Sequence, residues 1–523
     1  MGQQFIDQPV LFYFMSKFTS LTQLINSLSK SERKKISSTL NSHNNDADYI
    51  LLYKLIDKNQ MISQQEIKEL FIKKRPNAAF NTAINHLFDT LLTILNQLRA
   101  NQDSFFSLTN LLMNAKVLFE KSIYQECFHL LQKIQEEAIK FENFNILLIA
   151  QKMELDYLLC LNFPEVSEQE LLTKQLKLND TLKKIRKVNE HASLYELLKH
   201  RILNKGTARS NKHVQELNDL VVSEMSIVSS SGFENFEIQK NHKLFQSNYL
   251  INVGDYNSAL FSFYELHHIF EQNKHLLSNP PIYYLMTIEG ILDSLRNIKN
   301  YQGMTYFIEQ LNNIDSSSFH FKTQVRCVIF LYSLFPLIDT GKFIEAKLVT
   351  DQYREELHDK KHLLIADRQV QLSLYTAIVY LGLNEFVKAR KTISQIISGD
   401  KKLFSVPLLR TVRLVNMMVL YELHEFDYIE FEVRSIKREI HNKEKTYQIE
   451  LMMLKLFTNP ITNLSNKDRS LLWDKTEPKL AELRNNKFEL QLLRVFDFTA
   501  WIESKIKNNP LDVVLKERLN YFT

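Results

Sequence analysis

Apolar residues fall at helical spacing from the first predicted element, with Leu21, Leu24, Ile25 and Leu28, to the last, Lys487 to Ile506, which carries Phe488, Leu492, Phe496 and Trp501. Residues 20–100 predict four or five short helices. Ser31 with Lys34 and Lys35 begins one, and Asp46 caps an apolar run from Tyr49 to Ile56. Ser63 followed by Glu66 reads as a capping box, and a long helix spans about 78–98. From about residue 105 the helices lengthen and pair: 105–120 with 123–141, 146–161 with 167–188, and 191–204 with 211–229. Five further pairs turn near Gly254, Asn300, Gly341, Asn384 and Glu425. An aromatic followed three positions later by a small or apolar residue recurs there: Tyr256/Ala259, Tyr301/Met304, Phe343/Ala346, Phe386/Ala389 and Phe426/Ile429. A period of this size marks stacked helical pairs, none of which can bury its apolar face without its neighbours. Pro164, Pro280, Pro281, Pro407 and Pro460 sit near pair boundaries, whereas Pro336 lies inside a helical pattern and should kink it.

Composition sharpens this to an all-α fold. The chain has nine glycines and ten prolines in 523 residues, where average usage would give roughly 37 and roughly 26. Few turns are therefore expected to need positive φ. A 45 % hydrophobic content with 35 Phe and 21 Tyr can sustain a core along the whole length. Cys127, Cys160 and Cys327 lie far apart without a zinc-type spacing, which fits a reducing compartment. The apolar stretch from Pro9 to Met15 has no basic leader, the Gly2 context lacks a Ser or Thr at position 6, and no run of about 18 apolar residues stands out. The expected location is cytoplasmic, without a membrane span. Residues 1–19 are expected to be a disordered extension, 20–100 a small helical domain, 105–510 the helical array and 511–523 a tail.

The turns carry a family resemblance. Gly254-Asp255-Tyr256-Asn257-Ser258-Ala259, followed by Phe263 and Leu266, resembles the turn of tetratricopeptide repeats. Gly341 to Ala346 and Asn384 to Ala389 repeat the pattern, and Tyr124 with Cys127 and Leu131 is a further match. The period exceeds the family's usual length, the small residue expected early in the first helix is often large (Leu292, Leu334, Met417), and residues 146–250 carry little of the motif. The resemblance implies an α-α, right-handed superhelix of hairpins in which the first helix of each pair lines a concave groove. Groove candidates on that basis are Asn241, Asn248, Asn252, Glu289, Asp293, Arg296 and Asn297; the Asn amides could pair with the backbone of an extended peptide.

Charge is uneven. Between Leu171 and His213 lie eleven basic residues against three acids, a net +8 in a chain whose total is +5. Lys183, Lys184, Arg186, Lys187, Lys199, Arg201 and Lys205 define a candidate basic patch for an acidic partner or nucleic acid; the alternative is a solvated helix face. A second basic group, Lys30, Arg33, Lys34 and Lys35 with Lys73, Lys74 and Arg75, adjoins two helices that can be read as a helix-turn-helix offering Asn77, Asn81 and Asn85. Glu126/His129, Glu265/His268 and Glu355/His358 fall in different repeats and so share no metal, and His358 with His362 lacks a third ligand. No nucleotide-binding loop or hydrolase, metalloprotease or kinase signature is present. The sequence therefore predicts no catalytic centre, cofactor or metal. The expected role is a protein-interaction scaffold binding a peptide or protein, the alternative a DNA-binding regulator whose repeats sense such a partner.

Overall fold

The computed structural model describes residues 16–42, 47–58, 63–100, 103–230, 235–314, 316, 318–397, 406–441, 446–458, 461 and 464–519. These are almost entirely helical, with no strand among them. The chain divides into two compact units, residues 1–174 and 175–523. The expected tetratricopeptide-type array began at 105, so its first helices fall in the first unit instead.

In that unit five helices, Lys17–Ser27, Lys30–Ser42, Asp48–Lys58, Gln64–Lys74 and Phe80–Arg99, enclose one core around Leu21, Ile25, Leu52, Phe71 and Leu87. The Ser63 capping box forms: Ser63 N–H donates to Glu66 Oε2 at 2.9 Å, and Glu66 N–H to Ser63 Oγ at 3.4 Å. Asp46, the other expected cap, lies outside the described residues. A separate core, with Leu112, Cys127, Leu131 and Ile134, joins helices Ser104–Glu120, Tyr124–Lys140 and Phe144–Cys160. The next helix differs from expectation. Two were predicted, over 167–188 and 191–204, yet Glu168–Lys205 is a single helix of 38 residues, because neither Gly nor Pro interrupts Val188-Asn189-Glu190-His191.

The second unit contains helices Asn211–Gln215 and Asn218–Ser230, then five hairpins. Their paired helices are Phe236–Val253 with Tyr256–Gln272, Ile282–Asn297 with Tyr301–Asn312, Phe319–Asp339 with Phe343–Gln352, Ala366–Gly382 with Phe386–Ile397, and Val406–Glu422 with Phe426–His441. The first helix of each hairpin packs on the first helix of the next, and Val406–Glu422 packs on the following helix, Gln448–Thr458. Each recurring aromatic is the first residue of a second helix. Its partner three positions on is buried: Ala259, Ala346 and Ala389 at 0 %, Met304 and Ile429 at 1 % exposure. That is why a small or compact residue recurs where two helices meet.

One turn closes these hairpins. The N–H of Asp255, Asn300, Lys342, Glu385 and Glu425 donates to the carbonyl five residues earlier at 2.8–3.0 Å, the long bond of a Schellman end. The residue just before each of these takes positive φ: Gly254, Lys299, Gly341, Asn384 and His424. Ser122 and Glu142 do the same in the first unit. The expectation that few turns need positive φ is thus corrected. Such turns are frequent, and non-glycine residues occupy most of them, at a cost of about 1–2 kcal/mol for Lys299 and His424 and less for Asn384, whose short polar side chain tolerates the conformation.

Helix Phe319–Asp339 is long and apolar enough to cross a membrane by length and composition, which the sequence reading missed; 67 % of its apolar window is buried in the core of this unit. Pro336 lies inside it, three residues from its end. The C-terminal helices Asn466–Asn485 and Phe498–Lys507 complete the core, and Trp501 packs against Tyr421 and Phe457 while its Nε1–H donates to Glu422 at 2.9 Å. Residues 511–519, expected as tail, form a helix that buries Val514 and Leu515.

Candidate ligand cavity of the second unit

Polar residues spaced by three and four along the otherwise apolar first helices converge on one space. Helix Ile282–Asn297 contributes Glu289, Asp293 and Arg296, one stripe of its surface. Ala366–Gly382 contributes Arg368, Gln371 and Tyr375 by the same spacing, and Phe319–Asp339 contributes Tyr332 and Phe335. Arg410, Arg209 and the segment Gln491–Val495 close the wall around about 250 Å³, room for roughly eight waters.

Charges line this space in pairs. Arg296 forks onto Asp339 with both bonds at 2.8 Å, and its guanidinium lies 3.8 Å over the Phe335 ring. Arg368 pairs with Glu289, Arg494 reaches Asp293 at 3.1 Å, and Arg410 reaches Glu450 at 2.9 Å. Arg209 stacks on Tyr447 at 4.5 Å. Burial opposes the charge on Arg296, Arg368 and Arg494, but their carboxylate partners outweigh it and all three are held firmly protonated. For Glu450 burial wins: its carboxyl is raised despite Arg410 and Arg209. Burial also lifts the Tyr332 and Tyr375 hydroxyls, leaving neutral donors at the wall. Such a site offers fixed cations, carboxylates and hydroxyls that can exchange partners with a charged ligand.

The sequence candidates divide around this cavity. Glu289, Asp293 and Arg296 line it together. The asparagines do not, and the amides of Asn248, Asn252 and Asn297 are engaged elsewhere. Asn248 accepts from Lys199 Nζ at 3.0 Å and donates to the Leu244 carbonyl at 2.8 Å. Asn252 accepts from Ala208 N–H at 3.2 Å beside a space of about 20 Å³, and Asn297 donates to the Asp293 carbonyl at 2.7 Å. Asn241 is 5 % exposed. Asn241, Asn248 and Asn252 belong to a different helix, Phe236–Val253, whereas Asn297 continues the Glu289–Asp293 stripe by one turn and folds its amide back onto the Asp293 carbonyl.

The basic patch is largely neutralised where it stands. Lys184 pairs with Asp180 at 3.0 Å, Arg186 with Glu190 at 2.9 Å, Arg201 with Asp219 at 2.6 Å and Lys205 with Glu216 at 3.7 Å. Lys199 is held by Asn248, and burial lowers its ammonium, with Glu289 opposing. Lys183 is exposed and Lys187 half-buried. Local sequence balance concealed these partners, because Asp219 and Glu216 come from beyond the basic run. Sequence reasoning also missed Arg368, Arg410, Arg494 and Glu450. The available signal was an arginine or carboxylate recurring inside apolar first helices, visible at Asp367-Arg368 and Arg410.

In the first unit Asn77, Asn81 and Asn85 are exposed, as are Lys34, Lys35, Lys73 and Lys74. Arg33 pairs with Asp57, and Arg75 with Asp48 at 3.7 Å. Helices Asp48–Lys58, Gln64–Lys74 and Phe80–Arg99 pack on one another pairwise.

No protein-family model matches the chain, and no curated protein and no solved structure matches it either.

Proposed function

We propose that this chain is a non-catalytic interaction protein whose second unit, a tetratricopeptide-like right-handed superhelix, takes a short charged segment of a peptide or protein partner into the cavity on the side shared by its first helices. The observation that carries this reading is the convergence of arginine–carboxylate pairs from successive first helices and from Gln491–Val495 on one space of about 250 Å³. Exposed ion pairs contribute little to stability, and buried ones are often no better than apolar residues of the same volume. A ring of them around an open space is better suited to recognition than to holding the fold. A space of this size takes two or three side chains, so the segment engaged is short.

The test is selection of peptides from a diverse displayed library on the full chain, followed by calorimetry of those retained. Replacing one cavity pair as a unit, Glu289→Met with Arg368→Met, leaves neither member of the pair without its partner. We expect it to weaken binding at least about ten-fold, or about 1.4 kcal/mol, with the thermal midpoint little changed. Undiminished binding in the double variant, or a library yielding no binder, would exclude the cavity as the recognition site.

A second reading is favoured by the first unit: three mutually packed helices with exposed Lys73, Lys74, Asn81 and Asn85 support a helix-turn-helix-like DNA contact, with the repeats sensing the partner. Duplex-DNA mobility shifts at low and physiological salt address it. A shift that weakens in a Lys73→Ala/Lys74→Ala variant is expected on this reading, and no shift at low salt removes it.

A further inference from the structure

Away from the cavity, three helices bring metal-binding side chains of the second unit together. His191 comes from Glu168–Lys205, Glu224 from Asn218–Ser230 and His242 from Phe236–Val253. All three are buried, at 1 %, 6 % and 7 % exposure, and one donor atom from each lies within 4.8 Å of the others. Glu224 Oε1 is hydrogen-bonded to His242 Nδ1. His191 stands edge-on to His242, with ring centroids 6.2 Å apart, and both of its ring nitrogens are buried without a hydrogen-bond partner.

That last fact separates this cluster from an ordinary buried ion pair. A histidine kept only for packing should satisfy at least one nitrogen, since each unsatisfied buried polar atom costs about 1–3 kcal/mol. An apolar residue of similar volume would avoid that penalty. Two imidazoles and one carboxylate make a donor set of the kind that binds Zn²⁺ at about 2.0–2.2 Å. Tetrahedral geometry at that radius puts donors roughly 3.3 Å apart, a spacing inside the 4.8 Å within which all three donor atoms already lie.

We propose that His191, Glu224 and His242 bind one Zn²⁺ ion, with water in the fourth position, and that the ion staples the three helices that carry them. The enclosed position of all three ligands points to a structural ion.

The experiment uses the full chain without a histidine tag, stripped with chelator and titrated with Zn²⁺ alone by calorimetry and thermal denaturation. One equivalent should bind and raise the thermal midpoint as free Zn²⁺ rises. His191→Leu and Glu224→Gln should each weaken that site about 100-fold or more and abolish the shift, while His362→Ala, an exposed surface histidine, should leave both unchanged. Should a ligand variant fail to fold, electron paramagnetic resonance of the Cu²⁺-loaded wild-type chain still decides, because two coordinated imidazole nitrogens are required. Absence of a stoichiometric site in the wild type, retention of site and shift in both ligand variants, or a Cu²⁺ spectrum without two nitrogens would each overturn the proposal.

Discussion

Gly341 is where one substitution should reach furthest from its own position. It holds φ +72° at the turn before Phe343, and a β-carbon built there would stand 2.7 Å from the Asp512 carbonyl oxygen, 3.1 Å from Asp512 Cα and 3.2 Å from Leu515 Cβ. Two costs separate cleanly in Gly341→Ala. Holding alanine in the left-handed region costs about 1–2 kcal/mol. The contact with Asp512 is a backbone contact that no rotamer change can relieve, and helix Leu511–Leu519 must shift by roughly 0.6 Å to reach an ordinary carbon–oxygen separation. Overpacking of that kind costs about 1–3 kcal/mol, so the sum is about 2–5 kcal/mol. Asn384→Ala supplies the control, since Asn384 holds φ +60° at the equivalent turn and already carries a β-carbon. It should cost no more than about 1 kcal/mol, the left-handed preference of asparagine over alanine. Urea denaturation measures both, and amide hydrogen exchange over residues 511–519 reports whether the helix loosens. If Gly341→Ala proves as mild as Asn384→Ala and exchange over 511–519 is unchanged, the assignment of this glycine to backbone approach is refuted.

Ala346→Leu, at a position 0 % exposed where two helices of a hairpin meet, should destabilise by about 1–3 kcal/mol, measured as a lowered urea midpoint. Trp501→Ala removes a 1 % exposed ring packed on Tyr421 and Phe457 and should cost about 3–5 kcal/mol, read from the thermal midpoint. The C-terminal cap should be acid-labile. Burial would raise the Asp497 and Glu503 carboxyls, but Arg518 with Thr499 at the first, and Lys507 with Arg518 at the second, outweigh it and hold both below their ordinary values. Stability from these depressed carboxyls is complete above their unfolded values of 3.8 and 4.5 and is lost as pH falls through the folded ones. Protection of the amides over 511–519, taken relative to the intrinsic exchange rate at each pH, should fall on acidification below that window, and Arg518→Met should remove most of that pH dependence.

How much of this was legible in the sequence follows from range. The capping box at Ser63, the second helices beginning at Tyr256, Tyr301, Phe343, Phe386 and Phe426, and the burial of Ala259 and Ala346 rest on contacts within one hairpin. Local spacing encodes them directly. The continuity of Glu168–Lys205 was also locally encoded, by the absence of Gly and Pro over 188–191, and was overlooked. The docked helix Leu511–Leu519 depends on packing partners that no local window contains. The cavity was half legible for the same reason. Glu289, Asp293 and Arg296 share one helical stripe and were found, while Arg368 and Arg494 join them from 79 and 201 residues away. His191, Glu224 and His242 carry no ligand spacing at all, being brought together by three separate helices.

The glycines show how a correct motif can carry the wrong reason. Gly254 and Gly341 match the turn glycine of the repeat pattern, and the natural inference is that the turn demands them. Yet Lys299, Asn384 and His424 make the same turn with the same left-handed residue and the same long hydrogen bond. Conformation alone therefore does not select glycine here. What distinguishes Gly254 and Gly341 is their neighbours: a β-carbon at Gly254 would meet the Lys487 carbonyl oxygen at 2.9 Å, and one at Gly341 would meet that of Asp512 at 2.7 Å. Both neighbours belong to the C-terminal segment, the same stretch that supplies Gln491, Arg494 and Val495 to the cavity wall. Glycine thus marks where this segment's backbone lies against the hairpin turns. The segment is fixed at Gly254 and Gly341 by close backbone approach, and at the side chain by Gln491, which accepts from the Tyr256 hydroxyl at 3.1 Å and donates to the Ile251 carbonyl at 3.0 Å. The approach at Gly254 and the Gln491 bonds fall within a few residues of Arg494, which faces Asp293, so this wall of the cavity rests on a glycine that does not line it.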